Sequence, residues 1–145
     1  MTGKRATVKS SNRIRRWRDR GGAAVEFALV LPVLLTVVFG MIEYAWIFYQ
    51  QSNLASAVRD GLRQGVTVSQ TATPDPRTFA QNQAQTDLTN VGISSHVVTL
   101  TATYAGASPT KTMTLAAVLT YHKLIGFVPT PTSLKYSMTM MLEQQ

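Results

Sequence analysis

The spacing of hydrophobic positions changes twice along this 145-residue chain. From Phe27 to Ile42 sixteen residues carry no charge, and Glu26 and Glu43 bracket the run. As a helix, Gly22 to Glu43 rises about 31 Å at roughly 1.5 Å per residue, close to the roughly 30 Å hydrocarbon thickness of a bilayer. The alternative is the buried core helix of a soluble protein, but a chain this short has little material with which to surround such a segment on every side. Further on, Leu54, Val58, Leu62 and Val66 recur every fourth residue, with Asn53, Arg59, Asp60 and Arg63 elsewhere around the helix. That spacing predicts a helix continuing to about Val68 with its stripe turned toward a core. Gly61 and Gly65 each weaken it by about 1 kcal/mol relative to alanine, unless they admit a close neighbour. The polar, proline-bearing SQTATPDP of residues 69–76 ends the helix. Residues 76–88 then read as a second, shorter helix with Phe79, Gln83 and Leu88 on a weak apolar face.

After residue 97 the period falls to two. Val98, Leu100, Ala102 and Tyr104 alternate with threonines. Met113, Leu115, Ala117, Leu119 and Tyr121 do the same, as do Leu134, Tyr136, Met138, Met140 and Leu142 with other polar or small residues. Apolar residues facing one way and threonine the other describe half-buried antiparallel strands. AGASPT at residues 105–110 makes the first connection, and residues 126–131 make a longer turn. The pattern as a whole predicts an α+β fold. A long N-terminal transmembrane helix continues into an extracytoplasmic domain with a second short helix and a small antiparallel sheet of about three strands.

Charge then orients the picture. Lys4, Arg5, Lys9, Arg13, Arg15, Arg16, Arg18 and Arg20 stand against Asp19 alone in the first twenty residues, while the remainder holds six basic and six acidic side chains. The pI of about 10.2 is therefore a property of the arm. This removes the usual argument that a basic protein binds nucleic acid. Arginines before the apolar run place the N-terminus in the cytoplasm, and Tyr44, Trp46 and Tyr49 follow where aromatic rings favour the far interface. The reading is thus residues 1–21 as a basic cytoplasmic leader, 22–49 as the transmembrane helix and 50–145 as the extracytoplasmic domain, in the cytoplasmic (inner) membrane. A conventional secretory peptide would need a small-residue cleavage site after the apolar run, and Glu43-Tyr44-Ala45-Trp46 offers none. Arg15-Arg16 is a weak twin-arginine signal because the whole arm is basic.

Catalytic chemistry finds little support. The chain has no cysteine and two histidines, His96 and His122, and beyond the apolar run its acids are scattered singly at Asp60, Asp75, Asp87 and Glu143. These assemble neither metal-ligand spacing nor a paired-carboxylate site, so no catalytic residue, metal or cofactor is expected. Gly21-Gly22 lacks the lysine and preceding strand of a phosphate-binding loop.

The start RGGAAVEFALVLPVLLTVVFGMIEY at residues 20–44 resembles that of the TadE family of tight-adherence (Flp-type) pilus assembly proteins. YQQSNLASAVRDGLRQG at residues 49–65 resembles that family's polar, alanine-rich helix, with Arg59, Gly61 and Arg63 as a shifted Arg-Gly-Arg element. The C-terminal half is similar in pattern only: alternating strands, a Tyr-x-Lys-Leu-Ile-Gly-Phe-Val-Pro turn at residues 121–129, and a final strand ending at Glu143. The resemblance implies a pilin-like fold, no enzymatic activity, and processing by a prepilin peptidase that cuts after a glycine and leaves glutamate as fifth residue. Gly21 fits that frame to Glu26, so Gly22 becomes the new N-terminus; a cut after Gly22 leaves glutamate fourth. Phe27 takes the aromatic position, often tyrosine in the narrower Flp motif. Implied partners are the prepilin peptidase, other pilins or pseudopilins, the inner-membrane assembly platform and membrane lipid, with no nucleic acid.

The glutamate also has a physical logic of its own. An unpaired carboxylate in a lipid-facing helix costs about 2.5 to 3.5 kcal/mol on insertion scales for a central acidic residue. The resemblance supplies the amine freed at a neighbouring subunit's N-terminus as the compensating charge. The plainer possibility is that Glu26 sits at headgroup level and needs no partner. Pro32 removes one backbone hydrogen bond and predicts a kink or melted turn near residues 28–32, with or without a functional role. Two other classes of function remain open: an uncleaved, signal-anchored extracytoplasmic binding or adhesion module, and a basic arm with Trp17 that binds nucleic acid or anionic lipid.

Overall fold

The computed structural model describes residues 12–107, 110–126 and 128–143, with the backbone alone over 12–20. Most of the leader, Ser108 and Pro109 of the first connection, and Phe127 of the second lie outside the described residues. The elements run α1 (Asn12–Val66), α2 (Pro76–Asn90), β1 (Val98–Ala105), β2 (Thr112–Thr120) and β3 (Ser133–Met141), the α+β arrangement expected from the sequence. The chain divides into two compact units, residues 1–41 and 42–145, so that α1 belongs to both.

In the first unit, none of the residues from Gly21 to Met41 is buried. Leu29 is 72% exposed and Val33 66%. The helix that contains them is the one described element long and apolar enough to cross a membrane. A soluble core helix would bury a face, and this stretch buries none.

In the second unit the four-residue stripe does face inward: Leu54, Val58, Leu62 and Val66 are all buried. They share one core with Ala80, Ala84 and Leu88 of α2 and Met113, Leu115, Ala117 and Leu119 of β2. The sheet order is β1-β2-β3 with both pairings antiparallel. Its register stacks apolar rows across three strands: Val98, Leu119 and Leu134; Leu100, Ala117 and Tyr136; Ala102, Leu115 and Met138. The intervening rows carry the polar face, as in Thr103, Thr114 and Thr139, where the last two hydroxyls lie 2.7 Å apart. A slip of one residue in either pairing would turn a threonine row into the core, which is why the alternation specifies the register.

The helices also cover the sheet's two edges. Gln81 of α2 donates through Nε2 to the Leu100 carbonyl (3.1 Å) on the outer edge of β1, and Gln51 of α1 donates to the Lys135 carbonyl (3.2 Å) on β3. Each bond occupies a carbonyl that an edge strand would otherwise offer to another chain. At the end of α1 the Val66 carbonyl accepts from the Glu143 amide, 3.3 Å away, so the last strand closes back onto the helix.

The face of α2 differs from expectation. Its buried residues are Pro76, Ala80, Ala84 and Leu88, while Phe79 and Gln83 are only half-buried. The reason lies in α1. A Cβ placed on Gly61 would come within 2.6 Å of the Ala80 carbonyl oxygen, and one on Gly65 within 2.6 Å of the Ala80 Cβ. The glycines let two backbones approach, and only alanine is small enough to meet them; a phenylalanine on that seam would hold the helices apart. Asp75 caps α2, accepting from the Arg77 amide (2.8 Å), with Pro76 at the first helical position. The far end closes at Gly92, whose φ of +81° permits the Ile93 amide to reach the Leu88 carbonyl.

Gly61→Ala should therefore destabilise the body by about 1–3 kcal/mol through overpacking, outweighing the roughly 1 kcal/mol that alanine gains in helix propensity. Thermal and denaturant unfolding of the full chain in detergent micelles checks this: a higher melting temperature than wild type would show that the interhelical approach can relax.

Candidate functional site

Two glutamates on one helix, seventeen positions apart, meet opposite fates. Glu26 is exposed, and among the described residues nothing pairs with it. Glu43 is 1% exposed; among the described side chains of α1 it is the first that is buried, and it is the one charged group of the described core.

Burial of a carboxylate demands donors, and the connection between β2 and β3 supplies them. Tyr121 Oη donates to Glu43 Oε1, the Leu124 amide donates to the same oxygen at 3.0 Å, and the Ile125 amide donates to Oε2 at 2.8 Å. Both carboxylate oxygens are thereby satisfied. The residue after Glu43 holds the other end of the same connection, since Tyr44 Oη donates to the Pro129 carbonyl at 3.4 Å. Between the two attachments Gly126 takes φ of +82°, a backbone state that glycine adopts without cost. The Tyr121 amide bonds the Thr132 carbonyl (3.0 Å) and shuts the base of the loop. Burial first, and then its bond to the Glu43 carboxylate, push the Tyr121 phenol up to about 12. It therefore stays a donor throughout the physiological range.

The acid and aromatic pair Glu43-Tyr44 thus clamps the β2–β3 connection to the helix at Tyr121, Leu124, Ile125 and Pro129. The sequence displayed both halves, the pair and the Tyr-x-Lys-Leu-Ile-Gly turn, but gave no reason to join them across some eighty positions. The available signal was a glutamate flanked by apolar residues on both sides, which must find donors somewhere.

The structure places the remaining site residues without gathering them. Gly21 and Gly22 lie within α1, and a Cβ on either would meet nothing within 4 Å. Phe27 is 62% exposed. Helix α1 runs through Pro32 unbroken, so the turn there is not melted. Thr36 Oγ1 donates to the Pro32 carbonyl at 2.8 Å, a local bond of the kind that accompanies helix bending. Gly21 to Phe27 make a helical segment in which every residue is exposed.

A second polar cluster ties the start of α2 to the β1–β2 hairpin. Asp75 accepts from Arg77 Nε (3.2 Å) and from Tyr104 Oη (3.0 Å). The Arg77 guanidinium and the Lys111 ammonium lie 4.7 and 4.3 Å from the Tyr104 ring centroid. Arg77, through its side chain and then its amide, holds the Asp75 carboxyl down to about 2. Two of the protein's own cations lie over the ring, so the cluster is a fastening rather than an open site. Among the described residues no group of histidine, aspartate and glutamate is placed to hold a metal ion.

What these features define is a small α+β body and, preceding it in the chain, an apolar helical stretch in which no residue from Gly21 to Met41 is buried. Residues 21–63 match the family model described as TadE-like protein. That stretch, from the glycine pair through Glu43-Tyr44 to Arg63, is TadE-like, in agreement with the resemblance of its residues. No curated protein and no solved structure matches the chain.

The clamp makes a direct prediction. Glu43→Ala should speed hydrogen exchange at the Leu124 and Ile125 amides by roughly tenfold or more while the β2–β3 ladder stays protected. Site-resolved exchange by NMR or mass spectrometry of the micelle-bound protein reads this. Unchanged exchange at both amides would mean that the loop is held by other contacts.

Proposed function

We propose that this chain is a minor pseudopilin of a tight-adherence pilus, cut by a prepilin peptidase after Gly21 and acting in pilus assembly or adhesion rather than as an enzyme. The observation that carries the reading is the TadE-like match beginning at Gly21 and including Glu26. Three features support it. The basic arm marks the end that stays in the cytoplasm. The glycine pair presents no side chain, so a peptidase meets an unobstructed backbone there. Glu26 lies exposed on a helix that otherwise prefers lipid, with no described residue pairing with its carboxylate.

In this reading the cut after Gly21 removes the arm and frees the Gly22 amine. The new N-terminus lies four residues from Glu26, and a Glu26 carboxylate that its own chain leaves open accepts the corresponding amine of a neighbour in the pilus or its assembly platform. Maturation and docking share one charge pair. Glu43 takes no part in that exchange, because its oxygens are already engaged.

Replacing Gly21 with a bulky residue, as in Gly21→Leu, should stop maturation, leaving a product that retains residues 1–21 by intact mass. Glu26→Gln should be cut normally yet fail to enter pili. A wild-type product that keeps its leader would support the uncleaved anchored module instead, and normal pili from Glu26→Gln would place Glu26 at headgroup level.

A further inference from the structure

We propose that the loop clamped by Glu43 is a second membrane contact, a foot through which the body rests on the bilayer surface beside the exit of its own helix. The inference rests on reading the apolar helix as a membrane span. Four observations carry it. Leu124, whose backbone amide is held by Glu43, is 56% exposed. With Ile42, Ala45, Trp46 and Tyr49 it lines an open cleft of about 380 Å³ that is almost wholly apolar. Trp46 and Tyr49 stack at 5.5 Å between centroids, and rings of this amphipathic kind settle at the headgroup level of bilayers. Lys123, the residue before Leu124, is exposed, which suits an anionic headgroup above a buried leucine.

The occupant is lipid because the cleft is almost wholly apolar and one of its lining residues directly follows the apolar stretch in the chain. Ile42 is the residue after Met41, at the end of a stretch in which no residue is buried. An exposed leucine at this level is unfavourable in water and favourable at the acyl boundary. The clamp then has a purpose beyond packing. By fixing the loop's amides to Glu43, it sets the depth of Leu124 relative to Trp46 and keeps the polar backbone of the loop satisfied as it nears an apolar phase.

The chain has no cysteine, so single reporters can be placed without background. Leu124→Cys, Val33→Cys and Thr101→Cys, each carrying an environment-sensitive fluorophore, would be reconstituted as full chains in vesicles of mixed zwitterionic and anionic phospholipid. Nitroxide-labelled lipid should quench positions 33 and 124 but not 101, and acrylamide access at 124 should be at least about threefold lower than at 101. Trp46, alone after Trp17→Phe, gives a reading that leaves the loop untouched, and brominated lipid should quench it. Quenching at 33 with position 124 behaving like 101 overturns the foot and leaves the span intact. Absence of lipid quenching at 33 overturns the span, and the foot with it. Protection at 124 that follows protein density and not nitroxide lipid would mean that a second copy of the chain covers the cleft, which also overturns the proposal.

Discussion

A carboxylate taken out of water must be given hydrogen bonds, and that requirement organises this molecule. Glu43 meets it within its own chain, through the Tyr121 hydroxyl and two consecutive amides of the loop after β2. The buried part of the described helix consequently begins at Glu43. From Gly21 to Ile42 no residue is buried; after Glu43 the helix contributes Ile47, Leu54, Val58 and Leu62 to the core. One residue marks where an all-round apolar helix becomes a one-sided one.

The same requirement, left unmet, gives Glu26 its meaning. Both glutamates border the uncharged run, yet among the described residues only the second has donors. A satisfied acid stabilises a fold, and an unsatisfied one is available to a partner whose charge or hydrogen bonds are matched to it. The proposed function and the proposed membrane foot are two consequences of this division: Glu26 faces other subunits, while Glu43 fixes the loop that faces lipid.

Much of the architecture was legible in periodicity because periodicity is local. The exposed span, the core stripe at Leu54, Val58, Leu62 and Val66, and the three alternating strands each follow from spacing within one element. The face of α2 was not legible that way. Its buried side is Ala80 and Ala84, chosen by the close approach of Gly61 and Gly65, and small residues leave a faint hydrophobic signal beside Phe79. The clamp was hidden for a different reason. Glu43 and Tyr121 are seventy-eight positions apart, and nothing in the spacing of either names the other. The physical reason for the Glu43-Tyr44 pair lies in the packed structure, where one residue holds each end of a single loop.

The contrast between the two acids can be measured directly. A hydrophobic carbodiimide, which modifies carboxyl groups reachable from the bilayer, would be applied to the full-length protein in vesicles before any pilus partner is present, and the adducts mapped by mass spectrometry. Modification is expected at Glu26, with Glu43 spared. Equal modification of both, or of Glu43 alone, would contradict that contrast.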